Sequence, residues 1–165
     1  MPPPVVDLPL WLRAVLDVAA WGTWSALVGI VGHRRPDRAF ATDRWWSRLR
    51  SFERGGRWYE RRLRVKAWKD RLPEAGALFA GGMSKRSLPA GIDRRAALER
   101  LIVATRRAEW VHWVIPMLVP VFLLWNDAWV LAPMAVYAVA ANGPCLVVQR
   151  YNRARALSAL RRATD

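Results

Sequence analysis

Glu109 and His112 are the pair in this chain most suited to proton chemistry. Three residues apart, they share one face of a helix. They stand where a polar stretch, T-R-R-A-E-W-V-H-W from Thr105, runs into an apolar one. An ionisable group at the edge of a membrane span needs a partner and defaults to a functional hypothesis. An imidazole there could take the proton of a hydroxyl, with Glu109 orienting it or balancing its cation. The competing reading is an interfacial histidine that only faces lipid headgroups. Half of a metal site is a further option, because E-x-x-H pairs occur in carboxylate metal centres, but no second such pair is present and His33 lies among arginines.

A second polar cluster follows about thirty residues later: N-G-P-C-L-V-V-Q-R-Y-N-R-A-R, from Asn142 to Arg155. Pro144 removes a backbone donor and predicts a break in its helix that could line a cavity, with Asn142 at the depth of His112. The alternative is a simple proline kink. Asn142 and Gln149 carry amides that could donate to a developing oxyanion. Arg150 and Arg153, three apart, could hold phosphate in bidentate fashion. As a plain anchor, the run would explain its arginines but not Gln149, Tyr151 and Asn152 among them. G-G-M-S-K-R at Gly81–Arg86 combines glycines, a hydroxyl and cations, including Lys85, in the chemistry of a phosphate cradle without the full P-loop pattern. Cys145 sits in an apolar stretch that blunts a thiol, and packing is expected of it. As the single cysteine it excludes an intramolecular disulfide and a cysteine-based zinc site.

What must position these groups is a membrane hairpin. Val111–Trp125 and Ala128–Val148 are apolar runs separated by Asn126-Asp127, so two antiparallel helices bring the Glu109–His112 end and the Asn142–Arg153 end to one membrane face. An earlier apolar run, Leu10–Val31, has the ~20 residues a span requires. Its leading segment carries only Asp7, so it reads as a retained helix rather than a signal peptide. Arg13 and Asp17, four apart, can pair, and Gly22, Ser25 and Gly29 form a small-residue stripe. The expected organisation is a single all-α membrane domain over 1–165, with spans at about 10–32, 110–125 and 128–148. A basic segment covers 33–109 and a tail covers 149–165.

Charge and composition fit that division. The chain is 53% hydrophobic yet holds 27 Lys and Arg against 13 Asp and Glu, with 11 Trp in 165 residues. Segment 33–109 carries 21 of the basic residues and 9 of the acidic ones. The positive-inside rule then gives a multi-pass cell-membrane topology with the N-terminus outside and the basic segment and C-terminus in the cytoplasm. Trp11, Trp125 and Trp129 would mark the outer interface, Trp110 and Trp113 the inner one. Asp43–Leu72 reads as a helix broken at Gly55-Gly56, lying among headgroups as an amphipathic platform with snorkelling arginines. Leu72–Pro89 reads as irregular. Asp93 is a suitable N-cap for a helix from Arg94 that runs into the membrane. Arginines interleaved with aromatics can bind nucleic acid, but here the adjoining anionic surface is the inner leaflet, whose lipids are the expected partner.

Together, R-L-R-S-F-E-R-G-G-R-W-Y-E, V-K-A-W-K-D-R-L-P-E, T-R-R-A-E-W-V-H-W and N-G-P-C-L-V-V-Q-R-Y-N-R-A-R resemble the glycosyl-4,4′-diaponeurosporenoate acyltransferases, over about Arg48 to Arg155. Those membrane enzymes esterify a sugar hydroxyl of a glycosylated carotenoid acid in staphyloxanthin synthesis. The resemblance marks Phe52, Glu53, Gly56, Trp68, Lys69, Arg107, Glu109, His112, Asn142, Pro144, Gln149, Arg150, Tyr151, Asn152 and Arg153. It implies O-acyl transfer from a cytosolic thioester, acyl-CoA or an acyl carrier protein, to a hydroxyl of a lipid-linked acceptor, with no bound cofactor. From the co-location of these groups at the inner end of the hairpin, and not from the resemblance, His112 is expected to be the base, Glu109 its orienting group, and Asn142 or Gln149 the oxyanion donor. Arg150, Arg153 and Lys85 would take the donor's phosphates. Glu53, Lys69, Arg107, Tyr151 and Asn152 would complete the substrate site. The alternatives are a transferase using another cytosolic donor, or a non-enzymatic scaffold that binds anionic lipid.

Overall fold

Apolar helices dominate because backbone N–H and C=O groups in hydrocarbon must be satisfied within the segment. The computed structural model describes residues 4–72 and 93–163. Among these the regular secondary structure is all helical, without strands. Helix α1 spans Leu10–Arg34. Short helices α2 (Arg57–Leu63) and α3 (Val65–Trp68) follow a 3₁₀ turn at Ser51–Gly56. Helix α4 spans Arg94–Val114 and passes directly into a tighter 3₁₀ stretch, Ile115–Leu124. Helix α5 runs Leu131–Arg162. Among the described residues, three stretches are long and apolar enough to cross a membrane: Leu10–Arg34, Arg94–Leu124 and Ala128–Arg162.

The expected hairpin is present, and it is longer than its apolar part. Asp93 caps α4, accepting from the backbone N–H of Arg95 (3.0 Å) and Ala96 (3.2 Å). Leu98 and Ile102 on the first turns of α4 pack against Ala156, Leu157 and Leu160 of α5. The C-terminal stretch after Val148 is therefore the second arm of an extended hairpin, not a loose tail. A 32-residue α-helix is ~48 Å long, well beyond the ~30 Å of a hydrocarbon core. Pro116 and Pro120 both lie in the 3₁₀ stretch of the second span, where each removes a backbone donor from the helical ladder. Contrary to the expectation of a broken helix, α5 continues through Pro144, and the Asn142 side chain donates to the Ala138 carbonyl one turn back (3.0 Å).

At the turn end, Arg13 does not pair with Asp17. It bridges Asp7 (2.6 Å) and Asp127 (3.0 Å). Asp17 instead accepts from Trp125 Nε1 and Asn126 Nδ2, both at 2.8 Å. Phe122 packs between Trp21 and Trp125 at ring distances of 5.4 and 5.7 Å. The small-residue contact of α1 falls at Gly32, where an added Cβ would lie 2.7 Å from Val111, whereas Gly22 faces open space. Outward-facing Trp11, Val18, Trp129, Val136 and Val139 leave a wide apolar surface of the kind lipid covers.

The segment before Gly55 is not the expected helix. Ser47 Oγ accepts from Arg44 N (2.9 Å) and donates to Arg44 O (3.3 Å), a local alternative to helical bonding. The carbonyls of Trp46, Ser47 and Arg48 are taken by Arg150 and Arg153 of α5. Gly55 and Gly56 adopt φ of +63° and +94°, and a Cβ at Gly55 would meet Ser158 Oγ at 2.5 Å. Glycine there permits both the left-handed turn and the close approach to α5. Tyr59 and Val65 then pack on Val148 and Tyr151, seating the platform on the hairpin.

Candidate functional site

The open end of the hairpin holds two adjoining polar groups. The first joins α4 to α5: His112 Nδ1 lies 2.9 Å from Asn142 Oδ1. Because Asn142 Nδ2 is committed to the Ala138 carbonyl, its Oδ1 faces the imidazole. An acceptor there makes Nδ1–H the donor, which leaves the basic lone pair on Nε2. Asn142 is buried and His112 half-buried. Gln149 is also buried, two turns further along the same face of α5.

The second group is ionic and closed. Arg150 reaches Glu53 through Nε (2.9 Å) and Nη2 (3.1 Å), and Glu109 through Nη1 (2.7 Å). The other Glu109 oxygen pairs with Arg153. Glu53 also accepts from the Tyr59 hydroxyl and the Arg50 backbone N–H in very short bonds. Side-chain exposure is 1% for Glu53 and 0% for Glu109 and Arg153. Two carboxylates thus face two guanidiniums with almost no water, the arrangement in which buried charge is tolerated. Burial, then the bond to Glu53 and its charge, pushes the Tyr59 phenol well above its usual range, so it remains a donor.

This geometry redistributes the roles expected from sequence. His112 and Asn142 do meet. The imidazole is oriented by its Nδ1–H donating to Asn142 Oδ1, while Glu109 is held by Arg150 and Arg153. Asn142 spends one of its two amide hydrogens on the Ala138 carbonyl. Arg150 and Arg153 were expected to hold phosphate, yet their charge is already matched by Glu53 and Glu109.

The other expected residues lie further out. Arg107 pairs with Asp37, donates to the Arg35 carbonyl (3.3 Å) and covers the Phe40 ring, clamping the chain after α1 onto α4. Tyr151 is buried and donates to Glu60 (2.9 Å). Lys69 pairs with its neighbour Asp70 (2.6 Å), and Asn152 is half-buried on α5. Lys85 and the Gly81–Arg86 motif lie outside the described residues. Sequence reasoning missed Tyr59, which reads as one more apolar position but supplies a hydrogen bond to Glu53. It also missed the partners of Arg106, which pairs with Asp43 (2.8 Å) and donates to the carbonyls of Phe40 and Ala41.

The fold and site define a helical membrane protein with an asparagine-oriented histidine beside a buried arginine–glutamate network. The comparisons carry this further. The family model described as glycosyl-4,4′-diaponeurosporenoate acyltransferase matches residues 42–162, and the chain belongs to that family of acyltransferases. A Staphylococcus aureus (strain MRSA252) protein bearing that name is 30% identical over 153 residues, covering 92% of this chain and 84% of its own. Its counterpart from strain bovine RF122 / ET3-1 is 28% identical over 152 residues, with the same coverage. No solved structure matches. The matched region contains Glu53, Glu109, His112, Asn142, Arg150 and Arg153 and begins after α1, so the site lies wholly within the family segment.

Proposed function

We propose that this acyltransferase moves a fatty acyl group from a cytosolic thioester, acyl-CoA or acyl carrier protein, to a hydroxyl of a glycosylated, lipid-linked acceptor. The observation that carries the reading is the His112–Asn142 pair at the open end of a membrane hairpin. His112 Nε2 takes the acceptor hydroxyl's proton as its oxygen attacks the thioester carbonyl. The tetrahedral intermediate collapses, the C–S bond breaks, and the leaving thiolate takes the proton from the imidazolium. Asn142 keeps the imidazole in the tautomer this requires and accepts its Nδ1–H throughout. The Arg150–Glu53–Glu109–Arg153 network holds α4, α5 and the platform in register around the pair. Gln149 is the remaining amide on that face of α5 and the candidate donor to the oxyanion.

The charge distribution supports an orientation in which the N-terminus lies outside and the platform and open end of the hairpin face the cytoplasm, where both donors reside. Anionic inner-leaflet lipids would then meet the exposed arginines. The test is acyl transfer in reconstituted vesicles, with labelled acyl-CoA and acyl carrier protein offered separately alongside a glycosylated lipid. Ester formation from one of the donors is expected. Absence of ester from both donors across glycolipid acceptors, in protein that is folded and inserted, would overturn the reading.

A further inference from the structure

The arginines of this molecule fall into two populations. Arg106, Arg150 and Arg153 are each paired with a carboxylate. Arg57, Arg155 and Arg162 are exposed and have no carboxylate within ion-pair distance among the described residues. Arg155 senses the Glu60 charge only at longer range. These three, with Arg50 and Arg161, line one open groove of about 720 Å³ between the platform and the far end of α5. Ser158 adds a hydroxyl to its wall, and Gly55 packs against that hydroxyl closely enough that no side chain could stand between them. Glu53 also borders the groove, but its oxygens are taken by Arg150, Tyr59 and the Arg50 backbone.

A concave site in which cationic side chains outnumber carboxylates focuses potential and concentrates counter-ions. Guanidiniums are suited to phosphate oxygens, which they can bind in pairs. We infer that the groove formed by Arg50, Arg57, Arg155 and Arg162 binds a phosphate group, either the diphosphate of a coenzyme A thioester or the headgroup phosphate of an anionic lipid. It takes the role that sequence reasoning gave to Arg150 and Arg153. The coenzyme A source rests on the acyl-transfer reading; the groove's affinity for phosphate does not, and it is measured by binding alone.

The test titrates the full-length protein in phosphatidylcholine nanodiscs with coenzyme A, using inorganic pyrophosphate as competitor. A parallel arm measures enrichment of phosphatidylglycerol around the protein in mixed nanodiscs. Arg155→Gln with Arg162→Gln changes two exposed side chains and should leave the thermal melt unchanged. It should weaken coenzyme A binding by ~10-fold, the loss of about one charge-assisted contact. Arg61→Gln, outside this groove, should bind as wild type. If coenzyme A does not bind but phosphatidylglycerol enrichment falls in the double variant, the phosphate is a headgroup's. If the double variant matches wild type in both arms, or wild type binds neither probe, the groove is not a phosphate site. An intact acyl transfer alongside that result would leave the enzyme reading standing and remove this one.

Discussion

The two ends of the hairpin are both tied by arginine and carboxylate, yet they are built differently. At the turn end, Arg13 bridges Asp7 and Asp127, whose side chains are 91% and 45% exposed. At the open end, Glu109 and Arg153 are fully buried and Arg150 joins them to Glu53 across 97 residues of chain. Exposed pairs contribute little because water competes for both partners. Buried pairs are costly to break because the survivor is left charged in a dry interior. The turn end is a clasp, whereas the open end is a rigid frame around an imidazole, and only a frame needs such charge matching.

Breaking the frame should therefore have the largest effect. Glu109→Ala leaves Arg153 without its carboxylate and should destabilise the folded protein by ~3–5 kcal/mol, read from denaturant unfolding in mild detergent. Arg150→Lys keeps the charge but not the fork that reaches Glu53, Glu109 and the carbonyls of Trp46 and Arg48. It should cost ~2–3 kcal/mol by the same measurement, with acyl transfer falling alongside. Arg13→Gln at the turn end should change stability by no more than ~1 kcal/mol. If Arg13→Gln proved as damaging as Glu109→Ala, the distinction between clasp and frame would be lost.

The smallest expected effect concerns pH. Hydrogen bonds from Lys66 and then Tyr151 hold the half-exposed Glu60 below its ordinary pKa of 4.5. A carboxylate with a lowered folded-state pKa stabilises fully above that ordinary value and progressively less as pH falls through it. Thermal melts of wild type should fall more steeply below about pH 4.5 than those of Glu60→Gln. Parallel curves would remove Glu60 as a contributor.

Much of the architecture was legible from the residues alone, because it depends on local rules. Apolar length located the spans, Asn126-Asp127 located the turn, and Asp93 located a cap. Antiparallel geometry was enough to bring His112 and Asn142 together. What escaped depends on distant partners. Arg150 reads as a phosphate ligand until Glu53, 97 residues earlier, is seen on it. Trp45, Trp46, Leu49 and Phe52 lie at helical spacing, yet α5 claims the carbonyls of Trp46 and Ser47 that a helix would have used. Pro144 suggested a cavity, but a long helix in hydrocarbon tolerates one missing N–H more readily than a wider break. The basic groove is assembled from the platform and the end of α5, and no sequence pattern joins those two.

The most direct measurement is turnover of purified protein in reconstituted vesicles, comparing wild type with His112→Ala and Asn142→Ala. Removing a positioned general base should lower kcat by ~10²–10⁴-fold, and removing its orienting amide should lower kcat with little change in thermal stability. A folded His112→Ala protein that turns over like wild type would contradict the assignment of the chemistry to this imidazole.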